Sequence, residues 1–313
     1  MQYTASGDTT LRIATLNLLN YLAPPNAYYQ FDNIYDQQQW QAKQRWLDGH
    51  IRLLNADIIG FQEVFSPSEL KAQCARLGYP YFACLSQPII ESDYVYSHPP
   101  VALASRLPIV ERRCVGAGRI SATPPGFGFS RVPLHCTIVT PKLGLLDVIV
   151  VHLKSKRAML EVNQDQPTLL VEQAREMGRW MSTMQRGSEA QVLTHYVQNM
   201  QSQFARACVV MGDFNQDLAQ PELACLTRSG LLADSYLLQR TLDGTRPATH
   251  YYGETGNIID YILVSQACVP DSALRQAQVE MVSVYDQHLV SPDFSHDQFA
   301  SDHASVCMTL SID

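Results

Sequence analysis

Apolar residues in this chain gather into short β-rich runs that each end on, or are interrupted by, a polar residue. Residues 11–16 precede Asn17, 58–62 precede Glu63, 145–151 precede His152, 208–211 lead through Gly212 to Asp213, and 258–264 enclose Asp260. Runs of this length and composition predict strands. Residues 131–140 and 145–152 read as a hairpin closed by Pro141-Lys142-Leu143-Gly144. Helical spacing appears elsewhere. Trp46, Leu47, His50, Ile51 and Leu54 trace one face of a helix ending near residues 55–57, which makes His50 a packed helix histidine rather than a ligand. Ser66-Pro67-Ser68-Glu69 reads as a capped helix start, followed by Leu70, Cys74 and Leu77 up to Gly78. Pro167 opens a helical region reaching about Ala205 with a break near Gly187-Ser188, and Met177, Met181 and Met184 within it read as core or cover. Residues 87–100 and Pro124-Pro125-Gly126 carry the least order.

Residues 1–313 read as a single domain with a helical insertion at about 158–206, because no Gly/Ser-rich or Pro-rich linker divides the chain and no fixed-period repeat appears. The 46% apolar content suffices for one large core. None of the eight cysteines forms a Cys-x-x-Cys pair, and Cys74, Cys84, Cys136, Cys208, Cys225 and Cys307 lie in apolar patterns. They read as buried reduced thiols, without a disulfide framework or a zinc site. The polar first ten residues and the lack of any run of bilayer length predict a cytoplasmic protein with no transmembrane segment. No obligate protein partner is evident. The net charge of −7 argues against broad electrostatic capture of duplex nucleic acid, which needs clustered Lys and Arg. Lys154-Ser155-Lys156-Arg157, next to His152, is the best local basic patch.

A charged group at a strand tip is costly to bury unpaired, and its recurrence at several tips is explained most economically by one shared site. Gly212-Asp213-Phe214-Asn215 supplies a carboxylate and an amide two apart at a strand end, and Ser301-Asp302-His303 supplies a carboxylate beside an imidazole. Taken alone, the first is equally an Asx turn and the second a chance pair. His288, His296 and Asp297, in the loop 286–300, read as a polar rim.

Seven segments, in order, resemble the endonuclease/exonuclease/phosphatase superfamily: Thr15-Leu16-Asn17, Gln62-Glu63-Val64, Ser105-Arg106-Leu107-Pro108-Ile109, Val151-His152-Leu153-Lys154-Ser155, Gly212-Asp213-Phe214-Asn215, Ile259-Asp260-Tyr261-Ile262 and Ser301-Asp302-His303. The resemblance implies a four-layer α/β sandwich, with two mixed, mostly antiparallel β-sheets packed face to face and helices outside. It implies a hydrolase using Mg²⁺ (or Mn²⁺) held by Glu63, Asn17 and Asp302, since a hard cation prefers oxygen ligands. By the same resemblance Asp213 activates water, Asn215 holds that water or a phosphoryl oxygen, and His303, paired with Asp260, donates to the phosphoryl oxygen. His152 would contact the phosphate from the other side, with Lys154 and Arg131 as substrate-binding cations. One departure is that Ile258 stands where many relatives carry an Arg, two residues before Asp260.

The expected function is phosphodiester hydrolysis of a phosphate-ester substrate, with nucleic acid the commonest class in similar families. The alternative is a phosphatase or phospholipase-C-type hydrolase of a small or lipid phosphate ester, such as an inositol phosphate or sphingomyelin, for which Tyr94-Val95-Tyr96 is the one candidate membrane contact. A catalytically inactive binding protein on the same fold is disfavoured, because all seven segments keep the polar residue the chemistry requires.

Overall fold

The computed structural model describes residues 10–116, 126–159, 168–241 and 244–312. In chain order its first half comprises β1 (Thr10–Tyr21), β2 (Ala27–Tyr28), α1 (Gln37–Leu54), β3 (Ile58–Val64), α2 (Pro67–Arg76), β4 (Tyr81–Ala83), β5 (Ile89–Ser92), β6 (Val95–Ser97), β7 (Ala102–Ser105), β8 (Ile109–Cys114), β9 (Leu134–Thr140) and β10 (Gly144–His152). There follow α3 (Thr168–Gln203), β11 (Ala207–Asp213), α4 (Cys225–Arg228), β12 (Leu232–Asp234), α5 (Ser235–Leu238), β13 (His250–Tyr252), β14 (Thr255–Asn257), β15 (Asp260–Ser265), β16 (Ala277–Tyr285), α6 (Gln287–Val290) and β17 (Ser305–Ile312).

Strand alternation divides the apolar residues between layers. In β1, Leu11 and Ile13 enter one buried cluster while Ala14, Leu16 and Leu18 enter another. In β10, Leu146, Val148 and Val150 face the first cluster and Ile149 and Val151 face a third. Successive side chains point to opposite faces, so strands apolar at every position must be covered on both sides. The first cluster fills the space between two six-stranded sheets, ordered β16-β17-β1-β3-β7-β4 and β12-β15-β11-β10-β9-β8. The second lies under α1 and α2, and the third under α3 and α4. This is the expected four-layer sandwich. Each large sheet is antiparallel except for one parallel pair, β1 with β3 and β10 with β11. Gly60 permits the sheets' close approach, since a Cβ there would stand 2.8 Å from Met211 Cε and 3.0 Å from Val150 Cγ2.

α1 ends at Leu54, as its apolar face implies, and a capping box of Asp36 and Gln39 starts it at Gln37. Several local expectations need correction. Ser66 precedes α2 but makes no cap; its hydroxyl instead accepts the Ala23 N–H at 2.9 Å. Residues 87–100 are not orderless: β6 pairs with β2 on one side and β5 on the other in a three-stranded sheet, and Val95 is buried. α3 continues unbroken through Gly187-Ser188, where Gly187 lets Glu222 approach to 3.3 Å of the missing Cβ. Met177, Met181 and Met184 are exposed, because α3 packs through Ala190, Leu193, Val197 and Met200. Pro124, Pro125 and Pro167 lie outside the described residues. All eight cysteines are free thiols; Cys84 and Cys225 are only partly buried, and Cys114 is exposed. Among the described residues no helix is long and apolar enough to cross a membrane.

Candidate active site

The strand parity that sends Leu146, Val148 and Val150 between the sheets also sends His152 there, at the end of β10. Likewise Ala207, Val209 and Met211 predict the direction of Asp213, Ile262 and Val264 that of Asp260, and Leu11 and Ile13 that of Asn17. Register completes the convergence: His152 pairs with Asp213 across β10 and β11, and Asp213 pairs with Asp260 across β11 and β15. Gly212 makes this strand end possible, since its φ of +146° would bring a Cβ to 2.0 Å of Val151 O. Asn17 reaches over from the opposite sheet, and its Nδ2 donates to Asp213 Oδ2 at 3.1 Å.

Asp213 and Asn215 meet through a turn rather than through alternation. Asn215 has φ of +56°, its N–H donates to Asp213 Oδ1 at 2.7 Å, and its Nδ2 donates to Leu153 O at 2.9 Å and to Asp213 Oδ2 at 3.3 Å. The Asx-turn reading and the site reading therefore describe the same atoms. Asn17 is engaged at both ends, because its Oδ1 accepts the Leu19 N–H at 3.0 Å.

His303 enters from the segment before β17. Ser301 Oγ donates to Asn17 O at 2.6 Å and accepts the His303 N–H at 3.0 Å, which fixes the approach. His303 Nδ1 donates to Asp260 Oδ2 at 2.9 Å, leaving Nε2 toward Asp213 Oδ2 and Asp302 Oδ1, each at 3.9 Å. Burial opposes charge on this imidazole, but the Asp260 carboxylate, with its hydrogen bond, and then Asp213 and Asp302 raise its pKa well above the ordinary value. The same burial pushes the Asp213 carboxyl up to about 7, with His303 pulling it down and Asp260 adding to the rise. His152 Nε2 stands 3.4 Å from Asp213 Oδ2. Burial, followed by the neighbouring cations Arg131, His303 and Lys154, keeps His152 neutral, and its buried Nδ1 has no partner.

Glu63 has the wrong parity for the gap between the sheets, but its φ of +59° turns it out at the strand tip. One oxygen, Oε2, accepts the Asn20 N–H at 2.9 Å where β1 bends away. Glu63 and the half-exposed Asp302 line the same cleft, a cavity of about 1020 Å³ that also exposes His152, Lys154, Arg131, Asp213, Asn215 and His303. Lys43 is buried nearby on α1; burial lowers its pKa to about 8, while Glu63 and Asp302 pull it upward. Two carboxylates in one cleft, with oxygens not taken up by the protein, fit a hard cation that keeps several waters.

Among the described residues, two triads of ligand atoms lie within 4.8 Å of one another: Asp213, Asp260 and His303, and His250, Asp302 and His303. Both depend on His303, whose protonated ring offers no lone pair. They are better read as a carboxylate–imidazolium relay beside the carboxylates that would hold the metal.

Lys154 Nζ turns toward its own loop, donating to Ser155 O at 3.2 Å and Arg157 O at 3.0 Å, and burial lowers its pKa to about 8. Arg131 lies ahead of β9 and donates to Leu153 O at 3.4 Å. Sequence reading missed His250, whose ring lies 4.9 Å from that of His303 across an isolated bridge, and Thr249, whose Oγ1 accepts the Ile259 and Asp260 N–H groups. It also missed Glu189 of α3, whose Oε1 accepts the Ser130 N–H and whose Oε2 accepts the Lys154 N–H, both at 2.7 Å. None of these lies in an apolar run, and only long-range folding brings them to the site. The guanidinium of Arg246 lies against the Tyr236 and Tyr261 rings, 3.5 Å from Asp260 O. Trp46 Nε1 donates to Asp297 at 3.2 Å and His288 Nε2 donates to His303 O at 3.1 Å. His50, 7% exposed, stacks on Trp46 as a packed helix histidine.

The sequence profile of the Endonuclease/Exonuclease/phosphatase family matches residues 14–303. No curated protein matches the chain. Among solved structures, the human Nocturnin catalytic domain with bound sulfate superposes with a TM-score of 0.61 at 19% identity, over 98% of this chain and 96% of that one. D. rerio TDP2 complexed with single-strand DNA product gives 0.61 at 13% identity, over 97% and 99%. An endonuclease/exonuclease/phosphatase from Beutenbergia cavernae gives 0.59 at 19% identity, over 97% and 72%. At these identities the likeness shows the shared deoxyribonuclease-I-like fold alone.

Proposed function

Because the chain belongs to the Endonuclease/Exonuclease/phosphatase family, whose members are hydrolases acting on phosphate esters, we propose that it is a divalent-metal-dependent phosphodiesterase of the nuclease type, with Mg²⁺ or Mn²⁺ as its metal. Residues 1–313 then form one catalytic domain, with the helical stretch at about 158–206 as an insertion in it. The reading rests chiefly on Asp213, a buried carboxylate oriented by Asn17 and Asn215, facing the His303–Asp260 pair beside Glu63 and Asp302.

A pKa raised toward neutrality suits Asp213 to deprotonate a water at neutral pH. Asn215 has committed its amide hydrogens to Leu153 and Asp213, so its Oδ1 remains to accept from that water. His303, held cationic by Asp260, donates from Nε2 to a phosphoryl oxygen, while neutral His152 contacts the phosphate from the opposite side. Lys154 and Arg131 add positive charge along the cleft wall. A divalent cation on Glu63 and Asp302, with Asn17 beside them, would neutralise phosphate charge and stabilise the leaving oxygen.

The cleft favours a diester with a planar substituent. Tyr28, Tyr29 and Phe31 line it, and Phe31 packs edge-on to Tyr94 with centroids 5.6 Å apart. Of Tyr94-Val95-Tyr96, the buried Val95 lines the cleft, and the partly exposed Tyr94 packs on Phe31. D. rerio TDP2, bound to single-strand DNA product, supports nucleic acid as the substrate class.

The test is a substrate panel with Mg²⁺ or Mn²⁺: bis-p-nitrophenyl phosphate, p-nitrophenyl phosphate, single- and double-stranded DNA, RNA, inositol phosphates and sphingomyelin. Turnover of diesters, abolished by EDTA, is expected. Turnover confined to p-nitrophenyl phosphate and inositol phosphates would establish a phosphatase instead, and turnover confined to sphingomyelin a lipid hydrolase.

A further inference from the structure

The reactive centre opens on two sides. Beyond the cleft that holds Glu63, a second cavity of about 710 Å³ meets it at Asn215, His303, Arg157 and Ala158. Its described lining includes Lys156, Arg157, Arg175 and Arg179, together with His250, and no carboxylate. Four cations on one wall are unexpected in a chain of net charge −7. Among the described residues, Glu176, pairing with Arg179, is the one acidic group placed against them by an ion pair.

The wall is built in advance. Arg175 and Arg179, four residues apart, share one face of α3. The loop carrying Lys156 and Arg157 is tied to the same helix: Ser182 Oγ donates to Arg157 O at 2.6 Å, Met159 N donates to Gly178 O at 3.1 Å, and Arg186 Nη1 donates to Lys154 O at 2.9 Å. These bonds fix the backbone from which Lys156 and Arg157 project, so the loop needs little reordering when an anion arrives.

We propose that this cavity is a subsite for a second phosphate group of the substrate, adjacent to the phosphate under attack. The inference rests on the phosphodiesterase reading and narrows it. A substrate with at least two phosphates, whether a nucleic-acid backbone or a multiply phosphorylated small molecule, fills both the reactive centre and the basic wall. A zwitterionic lipid head group brings no second anion to meet this wall. Guanidinium groups suit the role, since their planar forks match phosphate oxygens in pairs.

Calorimetric titration in EDTA, where nothing is turned over, tests the subsite independently of activity. The ligand pairs are thymidine 5′-monophosphate with thymidine 3′,5′-bisphosphate, and inositol 1-phosphate with inositol 1,4-bisphosphate. The bisphosphate of at least one pair should bind roughly tenfold or more tighter than its monophosphate, and the gain should vanish in Arg175→Glu/Arg179→Glu. Both positions are exposed, and circular dichroism with an Arg175→Ala/Arg179→Ala control checks folding. A gain confined to the nucleotide pair assigns the second phosphate to nucleic acid; one confined to the inositol pair assigns it to a small molecule. Equal affinities within both pairs, or a gain that survives the charge reversal, overturn the subsite. The phosphodiesterase reading fails separately, if the wild type with Mg²⁺ or Mn²⁺ leaves bis-p-nitrophenyl phosphate, DNA and RNA intact.

Discussion

His303 and Asp260 act as one unit in this account: the carboxylate, 0% exposed, sits 2.9 Å from Nδ1 and holds both the ring's orientation and its proton. His303→Ala should lower kcat/KM by about two to four orders of magnitude, and Asp260→Asn by less. The double variant should be little worse than His303→Ala alone, because the second change removes a partner that no longer has anything to hold. Strictly additive losses would falsify the pairing. His50 gives a different kind of test. Burial, helped by His288, lowers its pKa from 6.5 to about 3, so the fold keeps it neutral while the unfolded chain takes up a proton. Its stabilising contribution is therefore complete above pH 6.5 and is lost as pH falls toward 3. Urea denaturation between pH 7 and 4 should show wild-type stability falling more steeply than that of His50→Gln, by up to about 1.4 kcal/mol per pH unit. Parallel slopes would mean that His50 does not titrate as its burial requires.

Helix α3 braces the site as well as covering a sheet. Glu189, fully buried, accepts from Ser130 N and Lys154 N, and His135, bonded to Asp147 at 3.0 Å, reaches Tyr196 of the same helix at 2.8 Å. Glu189→Ala leaves two backbone N–H groups without their acceptor, each worth about 1–3 kcal/mol. Lower urea stability and faster hydrogen exchange at Ser130 and Lys154 are the expected signs. Stability within about 0.5 kcal/mol of wild type would show that water replaces the carboxylate at no loss.

The contrast with what sequence alone conveyed is instructive at this level. Period-two patterning was enough to aim Asn17, His152, Asp213 and Asp260 at one gap, because alternate positions of their strands are mostly buried apolar residues of one cluster. It could not aim Glu63, whose direction depends on a left-handed φ, nor foresee that Asn17 would bond Asp213 from 196 residues away. The start of α1 was written in Asp36 and Gln39, but those cap residues precede any apolar periodicity and carried no signal without it. Gly187 suggested a break in α3 and instead marks a close approach to Glu222, a distinction that only tertiary packing makes.

Considered whole, the molecule places its chemistry at one rim of a two-sheet sandwich, where strand ends from both sheets expose polar tips around a shared apolar core. The cleft that holds Glu63 and Asp302 and the neighbouring cavity that holds Lys156, Arg157, Arg175 and Arg179 meet at Asn215 and His303, a local gathering of cations that an overall charge of −7 conceals. The most direct test of the central claim is the rate of bis-p-nitrophenyl phosphate hydrolysis by the wild type and by Asp213→Asn, each with Mg²⁺ or Mn²⁺ and again with excess EDTA. Wild-type turnover that EDTA abolishes is expected, with a loss of about two to four orders of magnitude in a folded Asp213→Asn protein. Undiminished turnover after chelation, or near wild-type turnover by Asp213→Asn, would contradict the claim.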